Sequence, residues 1–184
     1  MKRSGQFIRC WLVIVLVVAA ATVAACSSTG TPAAQSTAKA AQNITTDGWG
    51  SVRVGARRQD IEAVVGPSDA QSDFPAMNGE PAVVFHDYYS KGVQISYIKP
   101  EMTANAVFFF RDPKEHSEYA EFKGGLDKGL DWTATPDDVI AAYGTPQNDY
   151  KSEDGGKEWR RLAYADISFR FANGRLVTVS VPGD

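Results

Sequence analysis

Sulfur and imidazole are scarce in this chain: 184 residues contain two cysteines, Cys10 and Cys26, and two histidines, His86 and His116. Two cysteines that both lie in the first 26 residues give the rest of the chain no disulfide framework, so any folded part must be stabilised by its core. The histidines stand in separate segments, and neither falls into a zinc-ligand spacing or beside a nucleophile phrase. Gly-x-Ser-x-Gly, His-Glu-x-x-His and a phosphate-binding glycine loop are all missing. Gly124-Gly125 and Gly155-Gly156 are not followed by Lys-Ser or Lys-Thr and read as turns. Adjacent Asp137-Asp138 point about 100° apart on a helix, too divergent to share one substrate. Glu153-Asp154-Gly155 lacks the alternating oxygen ligands of an EF-hand. Excess positive charge is also absent: the formal balance is −3, which offers no electrostatic reason to bind nucleic acid. These absences set the expectation of a non-enzyme with no metal and no diffusible cofactor.

What is present begins at the amino terminus. Lys2, Arg3 and Arg9 precede Trp11–Ala25, an apolar run interrupted only by Thr22. The run is shorter than the roughly 20 residues that cross a bilayer core. A basic start, a short apolar stretch and small residues at its end are the marks of a secretory leader. The run closes on Val23-Ala24-Ala25-Cys26, which resembles the lipobox of bacterial lipoproteins: an aliphatic residue, two small residues and a cysteine. The resemblance implies removal of the signal peptide 1–25 and lipidation of Cys26, by palmitate among other acyl chains. Several chains on one residue would make a durable membrane tether. The expected location is the cell envelope outside the cytoplasm: the periplasmic face of an outer membrane, or the outer face of a cytoplasmic membrane. Residues 26–46 are mostly Ser, Thr, Ala, Pro, Gln and Gly and read as the lipidated cysteine with a flexible linker. Asn43-Ile44-Thr45 matches a glycosylation sequon, and in a bacterial lipoprotein the match reads as accidental.

From Trp49 onward one passage occurs twice. Val52–Pro67 and Leu130–Pro146 align with an offset of 78, matching Asp60 to Asp138, Ile61 to Val139 and Gly66 to Gly144. In the second copy, Thr135 suits an N-cap, Pro136 the first helical position, and Asp137 and Asp138 the positive end of the helix dipole. Val139, Ala142 and Tyr143 form a buried stripe that Gly144 and Pro146 terminate. Period-two segments follow each helix: Ala82–Tyr89, Val93–Tyr97 and Ala106–Arg111, then Glu158–Tyr164, Ile167–Phe171 and Leu176–Val181. The expected class is therefore α+β: a tandem repeat of a short helix and antiparallel strands, with helices on one face of a sheet. Its boundaries are a first repeat at 47–112, a connection at 113–128 with a short helix around Glu115–Phe122, and a second repeat at 129–184.

The phrase carried by Gly55, Asp60-Ile61 and Gly66-Pro67, and again by Asp138-Val139 and Gly144-Thr145-Pro146, resembles the repeat shared by two families. These are the β-lactamase inhibitor proteins and the small outer-membrane assembly lipoproteins of the SmpA/OmlA type. The resemblance implies a sheet presenting a concave face to an envelope protein partner. The residues themselves add one hint. Phe108-Phe109-Phe110 must place rings on both faces of one strand, beside polar residues from neighbouring strands. The candidate binding face is Gln94, Ser96, Phe108, Phe109, Ser168, Arg170 and Thr178, unless the linker or the 112–128 connection covers those rings. The leading expectation is a membrane-anchored, protein-binding lipoprotein, an inhibitor or an assembly accessory. A structural lipoprotein without a partner site and a small-ligand sensor are the alternatives.

Overall fold

A computed structural model describes residues 43–182. The leader 1–25, Cys26 and most of the expected linker lie outside the described residues, as do the last two residues. No helix among the described residues is long and apolar enough to cross a membrane.

The chain runs β1 (Asn43–Thr45), β2 (Gly48–Trp49), β3 (Val52–Arg53), α1 (Arg58–Val65), β4 (Ala70–Phe74), β5 (Val83–Tyr88), β6 (Val93–Ile98), β7 (Thr103–Phe110) and β8 (Gly125–Leu126). It continues through α2 (Pro136–Tyr143), β9 (Asn148–Asp154), β10 (Lys157–Ala163), β11 (Ser168–Ala172) and β12 (Arg175–Val181). Eight strands make one antiparallel sheet in the order β4-β5-β6-β7-β12-β11-β10-β9, and β3-β2-β1-β8 form a small second sheet. The expected α+β tandem repeat is corrected by this architecture. The described residues are mostly strand, each helix has only eight residues, and one continuous eight-stranded sheet is the frame of the fold.

Strand parity explains the layers. Val93, Ile95, Tyr97, Val107, Phe109, Leu162, Phe169, Val179 and Val181 all point to one side and join one buried cluster. Ile61, Val65 and Val139 from the helices, and Ile44, Val52 and Leu126 from the small sheet, belong to the same cluster. Phe122 ties these parts together, with ring centroids 4.8 Å from Phe109 and 5.3 Å from Trp49. The second helix starts as its sequence dictates: the Thr135 hydroxyl accepts the Asp138 amide at 3.3 Å, and the Asp138 carboxylate accepts the Thr135 amide at 2.9 Å. The first helix has Arg57 at the same place and no side-chain cap.

Two local expectations are corrected. Asn43–Thr45, assigned to the linker, is a strand, and Ile44 is fully buried in the core. Segment 113–123 contains turns and no helix. Pro113 and the charged run around it offer no apolar stripe at helical spacing, and the chain is fixed instead by backbone bonds from Ala120 to Tyr89 and from Phe122 to Phe110. The edge strands β4 and β9 were not legible, because both are almost wholly exposed and polar.

Candidate functional site

Among the described residues, neither the helices nor the small sheet lies on the second face of the large sheet. There the curved strands form a groove of about 480 Å³. Its floor follows from register. Phe108 is opposite Gln94 on β6 and Ser180 on β12, Phe110 is opposite Thr178, Thr178 is opposite Arg170, and Arg170 is opposite Arg161 on β10. Arg161 in turn is opposite Tyr150 on the edge strand β9. Side chains directly opposite on adjacent strands share a face, so one row of rings, hydroxyls and guanidinium groups crosses the sheet.

Of the expected face residues, Gln94, Phe108, Ser168, Arg170 and Thr178 line this groove together. Ser96 lines a neighbouring depression with Phe85 and Phe108. Phe109 is corrected: its side chain is fully buried on the opposite face, in the core, because strand alternation sends it away from Phe108 and Phe110. Of the rings on this face the 112–128 connection packs on Phe110, while Phe122 of the same connection meets Phe109 on the core face. His116 and Tyr119 stand with ring centroids 4.4 and 4.3 Å from Phe110.

The polar groups of the groove are ordered by contacts. Ser168 and Ser180 hydroxyls lie 2.7 Å apart, and Thr178 Oγ1 is 3.3 Å from His116 Nε2. Gln94 donates to Asp87 at 2.7 Å and to the Tyr119 hydroxyl at 3.2 Å, and Tyr119 itself donates to Asp87. Burial, followed by that bond to Asp87, raises the Tyr119 pKa above its ordinary value. Burial and the neighbouring Arg170 charge lower that of His116, so its imidazole is neutral near pH 7. The Arg170 guanidinium lies over the Trp159 ring, 4.1 Å from its centroid, a cation–π geometry. Arg160, on the other side of β10, is engaged by Asp149 through two hydrogen bonds of 2.9 and 2.8 Å.

Tyr119, Tyr150 and Arg161 are groove residues that the sequence reading missed. Arg161 was within reach, since Leu162 marks the core parity of β10 and its neighbours must face the other way. Tyr150 required recognising the hairpin at Gly155-Gly156, where both glycines have positive φ (57° and 74°) and Asp154 is opposite Lys157.

The other candidates fall apart in space. His86 is buried on the core face, its ring centroid 4.9 Å from Tyr97. Asp138 is committed to the helix cap, and Asp137 is almost fully exposed. Among the described residues no group of three or more His, Cys, Asp or Glu side chains could hold a metal ion.

No protein-family model matches the chain, and no curated protein matches it. Among solved structures it is similar to a DUF4309 family protein from Bacillus subtilis, with 13% identity and a TM-score of 0.42, covering 81% of this chain and 92% of that one. It is also similar to a cysteine-rich secretory protein from Staphylococcus aureus, with 11% identity and a TM-score of 0.40, covering 71% of this chain and 44% of that one. A provisionally assigned β-lactamase inhibitor protein from Streptococcus mutans shares 16% identity, with a TM-score of 0.28 and coverage of 79% and 93%. Likenesses of this strength carry no argument about function.

Proposed function

We propose that this chain is a non-catalytic protein-binding module, held in the cell envelope by lipid on Cys26, whose open sheet face receives a partner protein. The observation that carries the reading is the composition of that face. Phe108, Trp159, Tyr150 and Arg170 line one groove, and Trp, Tyr and Arg are the residue types that dominate interface energies. Tyr150 and Phe74 are more than half exposed at the two edges of the sheet, large rings that a monomer gains nothing by presenting to water. Phe74, Phe85 and Phe108 continue the aromatic surface across β4, β5 and β7, with successive centroids 5.2 and 6.2 Å apart.

Site-specific photocrosslinking in intact cells tests the reading. A photoreactive phenylalanine analogue at position 108 or 150 should give one protein adduct of defined mass. The same analogue at Val64, exposed on α1, should give none. Absence of a site-specific adduct would refute the binding role and favour a purely structural lipoprotein. The anchor is tested separately: Cys26→Ala should move the protein from the membrane fraction to the soluble envelope fraction.

The groove volume also supports a second reading, since small-molecule sites fall in the same range. Hydrogen exchange separates the two. A protein partner should protect β4 and β5 as well as the groove, whereas a small ligand should protect only β7 and β10–β12.

A further inference from the structure

We infer that the partner protein adds a strand to the β4 edge of the large sheet. The segment that fits is extended and uncharged, bonds to the outward backbone groups of Gln71 and Asp73, and seats an apolar or aromatic side chain over Ser72, against Phe74 and Phe85. This rests on the protein-binding reading above. Among the described residues β4 has one strand neighbour, β5, and the ladder shows which backbone groups that neighbour uses. The Lys99 amide donates to the Ala82 carbonyl and Val83 is opposite Ile98, so Val84, His86 and Tyr88 turn their backbone groups toward β6. Successive residues of a strand turn them opposite ways, which leaves Val83, Phe85 and Asp87 to bond β4. Their partners there are Phe74, Ser72 and Ala70. Gln71 and Asp73 therefore direct their N–H and C=O groups away from the sheet, a template for one more strand. Pro75 takes the next outward position and has no N–H, so the template ends there.

The opposite edge is of another kind. By the same alternation, the bond from the Asn173 amide to the Glu158 carbonyl makes Asp149, Lys151 and Glu153 the outward residues of β9. Charged residues at every outward position are a device that keeps strands from adding to an edge. β4 has one, Asp73, and the Lys99 ammonium lies 2.6 Å from its carboxylate. That edge is electrically balanced and matches an uncharged segment. Ala70, Ser72 and Phe74 share the groove face, because Ser72 is opposite Phe85. A side chain added opposite Ser72 stands about 7–8 Å diagonally from Phe74, whose ring is more than half exposed. From there Phe85 and Phe108 lead on to the groove. Backbone pairing at β4 thus supplies affinity, and the aromatic row supplies side-chain selection. Residues 27–42 of the chain itself hold no aromatic residue and no Val, Ile, Leu or Met, so the linker lacks the side chain that these rings would receive.

Photocrosslinking of the full chain in intact cells tests this, with the phenylalanine analogue now at position 74. The adduct should contain another protein, and mass spectrometry of the crosslinked peptide should show alternating polar and apolar residues without net charge. Gln71→Pro removes an outward N–H and no bond to β5, so the protein should fold while the adduct falls at least about tenfold, the size of one lost backbone hydrogen bond. Gln71→Ala keeps that N–H and should leave the adduct unchanged. Asp73→Pro against Asp73→Ala repeats the comparison at the second outward amide. Equal adducts in the proline and alanine variants would overturn the inference, as would equal losses in both, which would mark a side-chain contact. A proline variant that melts far below its alanine counterpart would show that the amide is already bonded within the chain and would overturn it too. An adduct to a second copy of this chain, or to its own residues 27–42, would have the same effect. A normal adduct at position 108 or 150 with none at 74 would overturn strand addition and leave the protein-binding reading standing, whereas no adduct at any of the three would overturn both.

Discussion

Phe108 and Phe109 are neighbours in β7, identical in chemistry and opposite in consequence, and replacing each by alanine tests the assignment of faces directly. Phe109 is fully buried and its ring meets Phe122 at 4.8 Å. Removing a buried Phe ring to Ala costs about 3–5 kcal/mol, from lost transfer energy and the cavity left behind. Phe108 is only half-buried, over the groove, and full burial of such a side chain is worth about 1.5–3 kcal/mol. Its loss should therefore cost about 1 kcal/mol. The two sites share a strand, so the fall in strand propensity from Phe to Ala is common to both and cancels in the comparison. The expected gap is about 2–4 kcal/mol.

Urea titration followed by tryptophan fluorescence should resolve this, because Trp49 and Trp132 both pack near Phe122. With an m-value of about 2 kcal/mol/M, Phe109→Ala should lower the midpoint by about 2 M and Phe108→Ala by about 0.5 M. Binding should show the reverse order at temperatures where both variants are folded: Phe108→Ala loses the partner and Phe109→Ala keeps it. Equal midpoint shifts, or a larger shift for Phe108→Ala, would refute the face assignment and with it the groove as a binding surface.

A pH titration of stability tests the core face independently. His86 is fully buried, its Nδ1 3.6 Å from Glu62 Oε1, and neither ring nitrogen has a hydrogen-bond partner within the described structure. Burial lowers its pKa and the Arg58 charge acts the same way, opposed by Glu62, Asp87 and Asp73. The unfolded chain then takes up a proton at about pH 6.5 that the native state resists, so stability is full above that pH and falls as pH drops below it. His116 shifts in the same direction and adds to the slope. The melting temperature should decline between about pH 6.5 and pH 5, and His86→Leu should flatten the decline; a melting temperature that rises toward pH 5 would contradict the account. Gly92 tests how the connection is seated. It has φ +66°, and a Cβ there would stand 2.3 Å from the Ala120 carbonyl oxygen. Gly92→Ala should cost more than the roughly 1–2 kcal/mol of left-handed strain alone and should loosen Tyr119 over Phe110, visible as faster amide exchange in residues 116–122. A cost of less than about 1 kcal/mol would show that the connection yields freely.

The contrast between what could be read from the sequence and what could not has one physical source. A strand with a wet face and a dry face writes a period of two, and Val93–Tyr97, Ile167–Phe171 and Leu176–Val181 were legible for that reason, each within a residue of the strand observed. Thr135 and Asp138 mark a helix start through chemistry that is local to four residues. β4 and β9 carry no such alternation, since an edge strand exposed on both faces has no dry side to record. Ile44 and Leu126 have too few apolar neighbours in sequence to declare the small sheet that buries them, because its core is assembled from segments about eighty residues apart. Without the edges and that small sheet, two helical phrases dominated the sequence pattern and suggested a class in which helices mattered more than they do. The groove suffered the same loss. Its centre, from Gln94 and Phe108 to Thr178 and Arg170, lies on strands with readable parity, whereas Tyr150 reaches it only through the unread edge and Tyr119 only through an irregular connection. Phe109 shows the limit from the other side: three consecutive rings state that both faces are aromatic, and only the register with Val93 and Val179 decides which ring the core takes. That decision puts Phe108 opposite Gln94 and Ser180, on the face where Arg170 stacks on Trp159. The binding face is therefore a property of register, and a one-residue slip of β7 would bury it.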